Sequence, residues 1–175
     1  MSAEKETIEN AINGDEESGE KILNMYKSRI FSYIFRLVRN YDDAEELTFE
    51  TFIKFFKTIK SYDRSKSLSA WLHKIAHNIV IDFFRKNKIE YEYLDERDST
   101  VENVGEKYER EKTLQAIECA LQRLAPVDRE IVILFHKEEL SYEEIGRILN
   151  LPMTTIKTRL HRARKKLRSM LARNE

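Results

Sequence analysis

Between Leu140 and Leu171 the chain reads LSYEEIGRILNLPMTTIKTRLHRARKKLRSML, and the short stretch Asn150–Leu151–Pro152 constrains the fold most. Before it, Ile145, Ile148 and Leu149 recur at helical spacing. Ser141 stands where it can cap that helix, with Glu144 three residues on as its capping-box partner. Gly146 is small where a second helix would cross closely. Asn150 is one of the few non-glycine residues that tolerate the left-handed backbone of a tight turn. Pro152 suits the start of the next helix, with Thr154 and Thr155 in its first turns. Two short helices joined this tightly form a helix-turn-helix.

The second of these helices has two unlike sides. At about 100° per residue, Ile156, Leu160, Ala163, Leu167, Met170 and Leu171 share one of them. Thr154, Thr158, His161, Arg162 and Lys165 share the other, flanked by Lys157, Arg159, Arg164 and Lys166. From Lys157 to Arg173 the chain carries eight Lys or Arg and no Asp or Glu. A merely solvated face usually mixes both signs. Unmixed positive charge on the second helix of such a motif fits a DNA major groove bordered by phosphates.

That concentration of charge is local. The 175 residues hold 31 Lys or Arg and 31 Asp or Glu, so the formal net charge is zero and no general affinity for nucleic acid is implied. Four glycines and two prolines among so many charged residues indicate an all-α protein. No apolar run approaches the roughly 20 residues of a membrane span. The N-terminal MSAEKETIEN lacks signal-peptide character, so a cytoplasmic protein without membrane insertion is expected. Cys119 is alone, which argues against a disulfide framework or zinc site. Lying inside an apolar helical pattern, it is expected to be a buried small side chain. His73 and His77 have the four-residue spacing of a metal-binding helix, but no Glu follows His73 and no third ligand is near. No metal and no cofactor are expected.

In chain order, the pattern predicts a short helix over Thr7–Asn13 that stops at Gly14. A longer one over Glu20–Arg39 carries Ile22, Leu23, Tyr26, Ile30, Tyr33, Ile34 and Leu37 at helical spacing. Asp42 or Asp43 is expected to cap the next, which runs to Ile59 with Ala44, Thr48, Phe52, Phe55, Phe56 and Ile59 as its core face. Asp43, Glu46 and Glu50 lie opposite, and ordinary helix-dipole complementarity would account for them equally well. The loop Ser61–Ser67 leads into a helix over Leu68–Lys88. Its expected stripe is Leu68, Trp71, Leu72, Ile75, Ala76, Ile79 and Phe83, with Lys74, Asn78 and Arg85 on an adjacent face. From Ile89 to Tyr108 the periodicity dissolves into an acidic stretch that reads as a linker. Helices over Arg110–Leu124 and Asp128–Lys137 then lead into the helix-turn-helix. The expected architecture is two small helical bundles, 1–92 and 109–175, joined by an acidic linker at 93–108.

Three stretches in this order resemble an extracytoplasmic-function (ECF) sigma factor of bacterial RNA polymerase, of the sigma-70 family. They are DDAEELTFETFIKFF, SLSAWLHKIAHNIVIDFFRK and LAPVDREIVILFHKEELSYEEIGRILNLPMTTIKTRLHRARKKL. The resemblance spans nearly the whole chain and implies a non-enzymatic factor that binds core polymerase and recognises the −35 and −10 elements of promoter DNA. It implies that Asp43, Glu46, Phe49 and Glu50 dock on the clamp-helix coiled coil of the largest polymerase subunit. The loop with Tyr62, Arg64, Ser67 and Leu68 would accept a base flipped out of the melted −10 element. Lys74, Asn78 and Arg85 would hold the edge of that element and its phosphates. The linker would thread toward the RNA exit channel, and the helices between Arg110 and Lys137 would meet the polymerase flap. Thr154, Thr155, Lys157, Thr158, Arg159, His161, Arg162, Arg164 and Lys165 would sit in or beside the −35 major groove. The family also admits an anti-sigma factor as partner. Three positions depart from its usual pattern: Phe49 stands in place of Gln, Gly19 in place of an aromatic, and Thr154 in place of Gly.

Two other classes explain less. A conventional helix-turn-helix regulator with an N-terminal sensing or dimerisation bundle leaves Lys74, Asn78 and Arg85 without a purpose. An enzyme acting on nucleic acid would need paired carboxylates beside a His, a phosphate-binding glycine loop or a metal cluster, and none is evident.

Overall fold

A computed structural model describes residues 3–87 and 110–172. Among the described residues it contains eight α-helices and no strand: α1 (Ala3–Ile12), α2 (Glu16–Val38), α3 (Tyr41–Thr58), α4 (Leu68–Lys86), α5 (Arg110–Gln122), α6 (Pro126–His136), α7 (Tyr142–Leu149) and α8 (Met153–Leu171). A 3-10 turn, Ile59–Ser61, follows α3. The all-α class is as expected. Two compact units divide the chain, the first built on α1 to α4, the second on α5, α6, α8 and the start of α7. The expected linker at 93–108 lies outside the described residues.

In the first unit α2 packs against α1, α3 and α4. Its stripe of Ile22, Tyr26, Ile30, Tyr33, Ile34 and Leu37 is buried as the spacing requires. Removing each such side chain from water contributes about 1.5–3 kcal/mol. The helix starts at Glu16, earlier than Glu20, because Asp15 accepts the Ser18 backbone N–H at 2.9 Å and caps it there. Neither Asp42 nor Asp43 caps α3. Asn40 does, from an extended backbone, accepting the Asp43 N–H at 3.0 Å. The two aspartates then lie in the first turn, where their charge suits the dipole.

The core face of α3 is also rotated from expectation. Leu47 and Thr51 are buried, whereas Phe56 is 38% exposed. Thr48 and Thr51 reconcile their hydroxyls with the core by donating to the carbonyls of Ala44 and Leu47, at 2.6 and 2.7 Å. Phe56 lies over Gly19 of α2, where an added Cβ would stand 3.4 Å from its ring. On α4 the buried set includes His73, Val80 and Phe84. The expected Trp71 and Phe83 are only half-buried. Phe83 instead lines an open groove between α3 and α4 with Ile79 and Lys57. His73 packs edge-on against Tyr33, ring centroids 5.0 Å apart, and its Nδ1 lies 2.7 Å from the Ser69 carbonyl.

In the second unit α8 packs on α5 and α6. Arg129 of α6 is buried and closes off α5 by donating to the carbonyls of Leu121, Gln122 and Leu124, at 3.1, 2.8 and 3.2 Å. Cys119 is exposed, contrary to expectation. The buried stripe at the end of α5 is Ala120 and Leu121, continued past the helix by Leu124, and Cys119 falls just outside it. The capping box forms: Ser141 Oγ accepts the Glu144 N–H at 3.3 Å, and Glu144 accepts the Ser141 N–H at 2.8 Å. Asn150 takes the left-handed conformation with φ of 53°. Leu151 N–H donates to the Gly146 carbonyl at 2.9 Å, and a Cβ on Gly146 would meet the Leu151 carbonyl oxygen at 2.8 Å. Close approach therefore explains that glycine. Pro152 precedes α8, whose Ile156, Leu160 and Ala163 are buried.

Candidate nucleic-acid and polymerase interface

Burial of Ile156, Leu160 and Ala163 fixes the rotation of α8, and hence which side chains leave the surface. Thr154, Lys157, Thr158, His161, Arg162, Arg164 and Lys165 are exposed, while Thr155 and Arg159 are half-buried. The Thr158 hydroxyl donates back to the Thr154 carbonyl at 3.0 Å. Along one flank Arg159 is tied to the scaffold, its Nη1 2.9 Å from the Asp128 carboxylate of α6. Along the other, the Arg164 guanidinium lies over the Phe135 ring, 4.9 Å from its centroid, and its Nε–H donates to His136 Nε2 at 3.1 Å. Lys157 Nζ lies 5.6 Å from the Tyr142 ring centroid. Partial desolvation of the ring, and secondarily the Arg164 charge, hold the otherwise exposed His136 below the usual histidine range and favour the neutral ring that can accept this bond. Arg162 stands between the flanks, where a guanidinium can reach paired acceptors on a base edge.

The loop between the 3-10 turn and α4 is a built structure. Asp63 accepts from the Ser65 N–H at 3.0 Å and hydroxyl at 2.7 Å, and Lys66 Nζ lies 3.1 Å from its carboxylate. Ser67 caps α4 by accepting the Ala70 N–H at 3.2 Å. Tyr62 and Leu68 are buried. The Tyr62 ring lies against Trp71 with centroids 5.1 Å apart, and its hydroxyl donates to the Lys66 carbonyl. Those two residues therefore support the loop from beneath, and Asp63, Arg64, Ser65 and Lys66 form its surface. Arg64 is held by a two-pronged contact with Glu9 of α1. Beyond the loop, Asn78 and Arg85 are exposed on α4 and Lys74 is half-buried. Arg85 pairs with Asp82 at 3.1 Å.

On α3, Glu46, Phe49 and Glu50 are exposed and Asp43 is half-buried. Phe49, 68% exposed, is a large apolar side chain left in water between carboxylates. With Ile53 one turn on, it gives the acidic face an apolar centre. Glu9, Asp128, Phe135, His136 and Tyr142 escaped the sequence reading. Each is joined to its partner across a break between helices, and no helical periodicity records such a contact.

No helix among the described residues is long and apolar enough to cross a membrane. Residues 22–89 match the model of sigma-70 region 2 and residues 114–167 that of sigma-70 region 4. The chain is 33% identical over 180 residues to the ECF RNA polymerase sigma factor SigW of Bacillus subtilis, covering 95% of this chain and 96% of that protein. It is 34% identical over 162 residues to the ECF RNA polymerase sigma factor SigE of Mycolicibacterium smegmatis, covering 90% of this chain and 63% of that longer protein. Among solved structures it resembles the sigma factor RpoE from Bartonella quintana, crystallised with the anti-sigma factor NepR. That match has a TM-score of 0.72 and 27% identity, over 87% of this chain and 96% of that one. Matched in both of its units and along nearly all of SigW, the protein belongs to the ECF sigma factors of the sigma-70 family and is an alternative sigma factor of RNA polymerase.

Proposed function

We propose that the two units divide promoter recognition between them. The unit of α1 to α4 binds core polymerase and the −10 element, and the helix-turn-helix unit binds the −35 element. The observation that carries this reading is the exposed face of α8, from Thr154 to Lys165, which is positive or polar throughout. Asp43, Glu46, Phe49 and Glu50 dock on the polymerase clamp helices, with Phe49 supplying apolar contact at their centre. Arg64 with the backbone of its loop receives an extruded −10 base, Tyr62 and Leu68 shape that loop, and Lys74, Asn78 and Arg85 follow the adjacent strand. The protein acts in the cytoplasm without enzymatic activity of its own. An anti-sigma factor is a fitting second partner, as NepR is for RpoE.

In vitro transcription by core polymerase on a promoter library tests the reading, with start sites mapped with and without the protein. Starts that depend on the protein and share both a −35 and a −10 sequence are expected. Protein-dependent starts lacking either element, or none at all, would overturn it.

A further inference from the structure

The flank cations of α8 are held by an aromatic surface that no recognition role accounts for. Phe135 at the end of α6 and Tyr142 at the start of α7 stack with centroids 5.0 Å apart and planes within 14°. Lys157 lies over Tyr142 and Arg164 over Phe135, so each ring of the pair carries one cation. His136, edge-on to Phe135 at 5.0 Å, accepts the Arg164 Nε–H. Lys157 and Arg164 are seven residues apart, about 10 Å along the helix and on one side of it. A ring face attracts a cation without neutralising it, unlike a carboxylate. The Arg164 Nη groups remain available to a further acceptor, and His136 has fixed the plane in which they lie.

We propose that Phe135, His136 and Tyr142 form a positioning shelf that aims Lys157 and Arg164 at two phosphates bordering the −35 groove. This inference rests on the reading of α8 as the −35-binding helix. Long cationic side chains normally lose rotamer freedom when they engage a phosphate. Here part of that ordering exists before DNA arrives. Phosphates carry no sequence information, so the shelf contributes equally at every −35 sequence, whereas Arg162 reads one of them.

The test uses the full chain bound to core polymerase and measures dissociation from duplexes bearing a set of −35 variants. Phe135→Leu and Tyr142→Leu keep apolar volume but remove a ring face. Each should weaken binding about two- to fivefold, by the same factor at every −35 sequence. Phe135→Tyr and Tyr142→Phe, which keep the ring, should restore it. In an Arg164→Ala background Phe135→Leu should have no further effect. His136 is exposed, so His136→Ala spares the core and decides the matter should a Leu variant not fold. It should weaken binding in the same direction, with His136→Gln, whose amide oxygen can accept the same bond, restoring it. Unchanged or tighter binding, or full additivity with Arg164→Ala, would overturn the shelf. If Lys157→Ala combined with Arg164→Ala binds like wild type, the failure lies instead in assigning this flank to DNA.

Discussion

Asp63 shows how one side chain sets the geometry of a surface. Hydrogen bonds from the Ser65 hydroxyl and backbone, with a smaller contribution from Lys66, hold its carboxyl down to about 2. The folded pKa lies below the ordinary aspartate value of 3.8, so the ionised turn contributes fully above that pH and is lost as pH falls through about 2. The carboxylate that accepts these bonds is therefore ionised throughout the physiological range. An NMR titration should place the Asp63 carboxyl midpoint near 2, and Asp63→Ala should speed exchange of the Ser65 amide. A midpoint near 3.8 would mean that the turn does not persist in solution. Contacts this local are also the ones that sequence reveals best. Ser141 with Glu144, and Asn150 before Pro152, were legible because each acts within a few residues. Asn40 displaced Asp42 and Asp43 as cap because all three can serve, and only the path of the backbone selects among them.

At the scale of the helix, periodicity located every described α-helix but missed the 3-10 turn at Ile59–Ser61 and misjudged rotation and ends. The fault lay with Phe56 and Phe83, aromatic side chains on the edge of a stripe. Hydrophobicity places them inside, but neighbouring helices decide how wide the buried arc is. Cys119 fails for the same reason. The acidic face of α3 was visible as a pattern, although its charge could equally have served the helix dipole. Its exposed apolar centre could not be weighed until the core was known. In the proposed docking, Phe49 in place of a polar residue would make the contact partly apolar, so docking should be less sensitive to salt than a purely ionic one. Reversing Asp43, Glu46 and Glu50 to Lys should reduce capture of core polymerase while leaving helical circular dichroism unchanged, since none of the three is in the core. Phe49→Ala should also reduce it, by about 1–2 kcal/mol if the ring becomes buried on docking. Undiminished capture by the triple variant would dissociate this face from polymerase.

The whole molecule balances its charge and divides its contacts. A formal net charge of zero coexists with a strongly basic α8 and an acidic α3, so attraction to bare DNA stays local. Two modules in one chain raise each other's effective concentration, and neither has to hold the promoter alone. What separates a sigma factor from an ordinary regulator with the same recognition helix is melting, and in the proposed function that step falls to the loop before α4. Extruding a base costs a few kcal/mol, which a preformed receptor can return only to bases that fit it. The hydrogen bonds around Asp63, the Glu9 grip on Arg64 and the buried Tyr62 keep this loop ordered before DNA arrives. A glycine-serine segment replacing Asp63–Lys66, with the Ser67 cap retained, should leave core binding and −35 binding intact, because neither surface includes the loop. Opening should fail, since the receptor is gone and its replacement has first to be ordered. A template already mismatched across the −10 element needs no such receptor for strand separation, so transcription should recover there. Permanganate reactivity of unpaired thymines on duplex and bubble templates separates the two effects, and normal opening of the duplex by the loop variant would remove this loop from the melting step.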